Sequence, residues 1–358
     1  MNYRWSEILS AETFTAAGTK VIDIKLADPV TRLSILMKLT NNGNTPTDHP
    51  AKAIKKVELV DGSDILASLT GKEMQALTYY AHGFQPYQNL IYLNNIMAIV
   101  EFDLLFGRFL YDPEFALNTS KFRNPQLKIT HDLSLGGSAP DAMELRVRAD
   151  VFDNKIVDPA AFLMSKEIMS YTLVASANEY IDLPTDYPIR MLMLSSRSAT
   201  KAPYEQFNQI KLTEDQDKKT VLEGYTSDFQ KVLAGNYPLW QDLIYGTCSA
   251  AGVAHFITPT FDAYPSLASE GSGVAVGQAA FTNGGTKTIH GASSVNFMGI
   301  FTGRCPHGAL PIPMGDLKEP SDWWDVSQLA NARLKITAGS SCDTTPSMNI
   351  IAQQARPY

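Results

Sequence analysis

The sequence is poor in the residues that staple small folds, hold metals or grip nucleic acid. Its three cysteines, Cys248, Cys305 and Cys342, are an odd set without CxxC spacing, all in the second half. That excludes a disulfide framework and a cysteine-ligated zinc, and leaves small buried hydrophobes or surface thiols. Among the six histidines, no two have the spacing that would carry both to one ion on a strand or helix, so neither a metal nor a cofactor is expected. No run of Lys or Arg makes a basic arm and the formal net charge is −7, so direct nucleic-acid binding is not expected either. No apolar run approaches a membrane span. The segment MNYRWSEILSAETF lacks the charged start and apolar core of a signal peptide, which predicts a chain made in a cytoplasm.

Signatures of catalysis are missing as well. GxSxG, GxxxxGK[ST] and HExxH do not occur, and the glycines of GSGVAVG lack the strand before and helix after that a dinucleotide site requires. The paired carboxylates Glu214 with Asp215 and Asp322 with Asp325 are explained by exposed loop charges. No catalytic residue is expected, and the chain is read as a non-enzyme.

What is present is a composition for globular structure, with 44% hydrophobic and 19% charged residues, and 23 Gly and 20 Pro scattered as turn punctuation. At 358 residues the chain is long enough for two domains, each with its own core. From about 19 to 152 short β-branched and apolar runs alternate with turn signals such as NNGN, DGSD and LGGSAPD. MELRVRADV alternates cleanly, which puts Met143, Leu145, Val147 and Ala149 on a buried face. Short helices are expected over KEMQALTYYAHG and FALNTSKF. Many short strands with few helices describe a sandwich or barrel.

The chain also repeats itself. IDIKLADPVTR (22–32) has a counterpart in IDLPTDYPIR (181–190), so Asp28 and Arg32 match Asp186 and Arg190. IKKVELV (54–60) lies over FNQIKLT (207–213), and Leu127 to Thr130 over Leu334 to Thr337. SMNIIAQQARPY overlies MELRVRADVF and should be the last strand of its half. Blocks in the same order in both halves mark a duplicated domain. Asp28, Arg32, Asp186 and Arg190 are therefore read as scaffold: a carboxylate and a guanidinium four residues apart, tying a loop to the barrel rim in each copy.

The expected organisation is an N-terminal arm at 1–18, a first barrel at 19–152, a connector at 153–170 and a second barrel at 171–358. The arm reads as a short amphipathic helix through Trp5, Ile8, Leu9 and Phe14, docking on a neighbour or capping its own domain. The connector reads as helical. Matching Gly71 to Gly224 and Leu127 to Leu334 leaves the second half with roughly 54 extra residues between its blocks, assigned to an insertion at about 248–300 rich in Gly, Ala, Ser and Thr. It is read as a loop excursion, serving recognition or merely tolerated. Trp323 and Trp324 are either a stacking platform or buried anchors.

Two consecutive barrels without a catalytic constellation, an expanded loop in one of them, and the stretch YIDLPTDYPIRMLMLSSRSATKAPYEQFNQIKL resemble the double jelly-roll major capsid proteins of adenovirus-type icosahedral viruses, including tailless bacteriophages with an internal membrane. The resemblance implies an all-β chain of two tandem eight-stranded jelly rolls with a few short helices. It implies a structural virion protein that forms homotrimers, pseudo-hexagonal capsomers tiling an icosahedral shell. Its partners would be itself, neighbouring capsomers, vertex and minor capsid proteins and, through the N-terminal arm, an internal lipid membrane. The alternative from another class is a glycan- or receptor-binding two-domain sandwich such as a lectin, adhesin or phage spike.

Overall fold

In the computed structural model the described residues are 3–153, 157–269, 276–278, 283–291 and 294–358. The first half contributes β1 (Tyr3–Phe14), β2 (Gly18–Asp23), β3 (Val30–Asn41), β4 (Ile54–Asp61), β5 (Asp64–Leu69), α1 (Gly71–His82), β6 (Gln88–Ile91), β7 (Met97–Leu105), β8 (Pro125–His131) and β9 (Pro140–Phe152). The strand order β1-β9-β3-β7 faces β2-β8-β4-β5, with the apolar core between them. The alternation in β9 does what its sequence demands: Met143, Leu145, Val147 and Ala149 are all fully buried.

The second half repeats this order strand for strand. It begins with β10 (Ala161–Thr172), β11 (Asn178–Asp182), β12 (Ile189–Ser195), α2 (Pro203–Gln206), β13 (Phe207–Glu214), β14 (Lys219–Tyr225) and α3 (Thr226–Ala234). It ends with β21 (Ala309–Pro313), β22 (Ala332–Ala338) and β23 (Ser347–Pro357). Here β10-β23-β12-β21 faces β11-β22-β13-β14. The duplicated blocks occupy identical registers. Ile22 and Leu59 flank Leu127 in the first barrel, and Ile181 and Leu212 flank Leu334 in the second. Each half is an eight-stranded jelly roll.

Between α3 and β21 the second half adds β15 (Trp240–Cys248), β16 (Val253–Phe256), β17 (Pro259–Ser269), β18 (Val276–Gln278), β19 (Thr286–Gly291) and β20 (Val295–Pro306). The expected loop excursion at 248–300 is thus built largely of strands. Residues 270–275, 279–282 and 292–293 of it lie outside the described residues. In β20, Phe297 and Phe301 point inward, with Gly299 between them and Gly303 beyond them on the same face. Those small residues hide the strand period from a reading that counts apolar side chains.

Three helix expectations need correction. Residues 3–14 are a strand paired along β9, not a helical arm. Register shifts between Glu7 and Leu9 and between Leu9 and Glu12 break the two-residue alternation, so the apolar spacing looks looser than a strand's. Residues 161–172 are β10, not part of a helical connector, and residues 154–156 lie outside the described residues. Leu, Met, Lys and Glu favour a helix there, but pairing along β23 and a parallel contact with β5 override that preference. FALNTSKF holds only a 3-10 turn at Thr119–Lys121, because the Asn118 side chain accepts from the Ser120 N–H and hydroxyl and offers the backbone an alternative to a helix.

Candidate functional site

The two barrels are fused along a seam. Parallel pairing of Ala67 with Ser165 and Ser68 with Lys166 joins β5 to β10, and pairing of Leu90 with Ile244 and Ile91 with Tyr245 joins β6 to β15. Two sheets therefore run through both halves. The first core crosses as well, taking in Met191, Met193, Trp240, Ala309 and Ile351 from the second half.

Helix α1 lies in this seam. Thr70 and Glu73 form a reciprocal capping box at its start, and Gly83 ends it in the left-handed region at φ 74°. Ten of its twelve residues are buried. At Gly71 a Cβ would come within 2.6 Å of the Ala51 carbonyl, so only glycine lets the helix begin this close to its neighbour. The helix reaches into the second half through its polar groups. Tyr80 donates to the Ala309 carbonyl at 3.0 Å and Tyr79 to the Pro238 carbonyl, while the Ala81 carbonyl accepts from Arg190 at 3.0 Å.

A buried polar network extends from α1. Gln75 donates to Gln88 at 3.0 Å and accepts from His307 Nε2 at 2.8 Å. Gln88 donates to Asp242, which also accepts from the Trp240 indole at 2.7 Å and the Thr258 N–H at 2.6 Å. Burial pushes the Asp242 carboxyl up to about 6 despite these donors. His49 accepts from the Ala51 N–H at Nδ1, which leaves Nε2–H to donate to Thr258 at 3.0 Å. Burial holds both His49 and His307 well below the usual histidine range, so both are neutral at pH 7. Such a network fixes one relative placement of the halves, because any other leaves buried donors and acceptors unpaired.

Where the seam opens to solvent it leaves a cleft of about 630 Å³, walled by Asp48, Lys52, Lys72, Arg197, His307 and Thr345 among others. The Asp48 carboxylate meets Lys52 Nζ at 2.6 Å, Arg197 at 3.1 Å and Lys72 Nζ at 3.5 Å. These cations hold Asp48 far below the usual carboxylate range against its own burial. Burial and the nearby guanidinium push the Lys72 ammonium down to about 7.

The repeated residues read as rim ties find their partners outside their own pair. Asp28 turns to Arg4 at 2.9 Å, and Arg32 to Asp150 at 2.7 Å and Asp103 at 3.6 Å. Asp186 accepts from Gln354 at 3.3 Å. Arg190 is fully buried and donates to the Leu317 carbonyl, the Ala81 carbonyl and Gln353. Four-residue spacing at a strand start sends the two side chains to different neighbours, since the chain there is extended and not helical. Of the two tryptophans, Trp323 is a buried anchor, packed at a tilt against Phe115 at 5.4 Å between ring centroids, and Trp324 donates to Glu214 at 2.7 Å.

The seam residues Asp48, Lys72, Gln75, Arg197, Asp242 and His307 escape a reading by motif. They lie on separate elements, and nothing in their local sequence marks them. The sole usable signal is the capping-box pattern Thr70-x-x-Glu73, which locates the start of α1.

No family model and no curated protein sequence matches the chain. Solved structures do. The chain superposes on a chain of Sulfolobus Turreted Icosahedral Virus with a TM-score of 0.63 at 9% identity, covering 100% of this chain and 91% of that one. On the major capsid protein of bacteriophage PM2 the TM-score is 0.56 at 11% identity, with 99% and 98% covered. On the PBCV-1 virus capsid it is 0.54 at 14%, with 99% and 94% covered. At such identities the likeness speaks for the fold, and with the strand orders above it makes this chain a double jelly roll.

Proposed function

We propose that this chain is a major capsid protein, a structural subunit whose copies close into homotrimeric, pseudo-hexagonal capsomers that tile an icosahedral shell. The observation that carries the reading is that viral shell proteins match it over the whole of both barrels and the seam, not over one barrel alone. Two barrels locked by continuous sheets and a buried network make a stiff block, suited to repeating one contact around a closed ring.

The surface supports the same reading. The outer face of β15, β20 and β17 carries exposed Tyr264, Met298 and Ile300, with Leu239 nearby, and Tyr87, Ile96 and Met97 lie exposed around β6 and β7. Exposed apolar side chains on one sheet face suit contact between copies. In this reading the chain is made in the host cytoplasm and ends in the virion, beside neighbouring capsomers and vertex and minor capsid proteins. An internal lipid membrane, in the same reading, would be met by the N-terminal segment, whose residues 3–14 pair along β9.

Light scattering of the purified native protein, followed by negative-stain microscopy of the same peak, tests the proposal. A particle of about 118 kDa, three times the 39.3 kDa chain, with a hexagonal outline is expected. A species that stays monomeric or dimeric at high concentration overturns it.

A further inference from the structure

The cleft at the seam has more positive charge than its own acids satisfy. Asp48 is shared by Lys52, Lys72 and Arg197, and the latter two side chains are only 20% and 10% exposed. The other two carboxylates on the wall are already engaged. Glu73 accepts from the Thr70 N–H at 2.8 Å and from Asn349 at 2.7 Å. Asp343 accepts from Ser198 at 3.0 Å and the Thr345 N–H at 2.9 Å. A fourth cation, Lys55, lines the same cleft, and Lys72 stands in the first turn of α1, where the helix dipole adds positive potential.

One further group points to a missing partner. Arg197 uses its terminal nitrogens on Asp48 and on the Ile257 and Gly285 carbonyls, yet its buried Nε has no partner among the described residues. Half-buried cations around one shared carboxylate are costly unless a second anion joins them. The cleft volume of about 630 Å³ holds a tetrahedral oxyanion together with its first waters.

We propose that the seam cleft binds a small phosphate-type oxyanion, free or as the head of a phosphate monoester, held by Lys72, Lys52 and Arg197. Lys72 is the central donor. Its ammonium has one long contact, to Asp48, and two protons to spare, whereas Arg197 is mostly spent on positioning the loops around it. The bound anion completes the charge balance at the point where the 3-10 turn Pro50–Ala53, α1 and the chain after β12 converge, and so clamps the two barrels together.

The test is calorimetric titration of the purified full chain with inorganic phosphate at fixed ionic strength, with glycerol 3-phosphate as a second arm. One saturable site per chain is expected, weakened at least about tenfold in Lys72→Met and in Lys52→Met. Lys318→Met, which removes an exposed charge elsewhere, should leave it within about twofold. Because the bound anion restores the Lys72 proton, titrations at pH 8 in buffers of different ionisation heat should reveal proton uptake that Lys72→Met abolishes. Saturation by both ligands assigns an ester head group, and by phosphate alone the free ion. A flat titration overturns the proposal, as does binding that Lys72→Met leaves unchanged or that Lys318→Met weakens equally. Thermal melts of the free variants separate lost binding from lost fold. The measurement needs only the folded chain, so its outcome is independent of whether copies assemble.

Discussion

The two barrels share one strand order and one set of registers, yet the helix that follows the fifth strand of each has a different fate. In the first barrel α1 is buried in ten of twelve positions and carries the seam. In the second, α3 buries only Thr226 and Gln230 of its nine residues and leaves Val232 70% exposed. The repeated arginines diverge in the same sense. Arg32 lies part-exposed on a sheet face among carboxylates, while Arg190 is fully buried and bound by neutral groups. Burial lowers its guanidinium to about 10, an effect that Tyr237, Asp112 and Asp316 offset only in part. The difference teaches that the barrel frame tolerates little change, because each register feeds a core, whereas the connections between frames are free to become a seam on one side and a surface on the other.

Replacing Ile300 by Asp should have the largest effect. It should abolish assembly, read by light scattering, while the melting temperature of the chain stays close to the parent's, because the side chain lies on the outer face. The equivalent charge on the outer face of the first barrel, Leu36→Asp, tests whether only the second half carries the contact.

Next in size, Arg190→Met should cost about 3 to 5 kcal/mol in urea unfolding, since it strands the Ala81 and Leu317 carbonyls and Gln353 in the interior. Arg32→Met should cost less, about 2 kcal/mol at pH 7.5, and part of that loss should disappear at pH 5. Burial raises Asp103 to about 6 even beside Arg32. An aspartate with a raised folded value is favoured below its unfolded value and loses that advantage as pH rises through the folded one, so acid neutralises the carboxyl that the variant leaves unpaired. Equal pH dependence in the two variants would contradict the contrast drawn here.

The matched glycines sharpen the comparison further. Gly71→Ala should destabilise by about 1 to 3 kcal/mol through collision with the Ala51 carbonyl. Gly224→Ala meets only the Phe229 ring, at 3.2 Å, and should cost under about 1 kcal/mol. The smallest effect is one of slope. Asp242, raised to about 6, stabilises most below pH 4 and progressively less as pH rises through 6. His255, lowered to about 4 by burial, acts oppositely: its contribution is present above pH 6.5 and is lost as pH falls through 4. Asp242→Asn should remove the first trend and leave the second, visible as steeper acid destabilisation between pH 6 and 4.

Much of the frame was legible in the residues. The matches of Ile22 with Ile181, Leu59 with Leu212 and Leu127 with Leu334 coincide with structurally equivalent positions in paired strands, because a core-facing position in a sheet constrains both the residue and its neighbours two places away. KEMQALTYYAHG was legible as a helix from its cap and its formers, and α1 spans Gly71–His82. β1 and β10 were not, since bulges blur the period of one and helix-favouring residues fill the other.

By itself the sequence determined an all-β chain, its duplication and the faces that go inward, since alternation and turn chemistry act between near neighbours. Only the tertiary structure decided where Asp28, Arg32, Asp186 and Arg190 find partners, that α1 bridges the halves, and that Asp48, Lys72 and Arg197 meet. Those outcomes depend on contacts between residues from 24 to 229 positions apart, and charge or amide groups carry no local mark of the partner they will find.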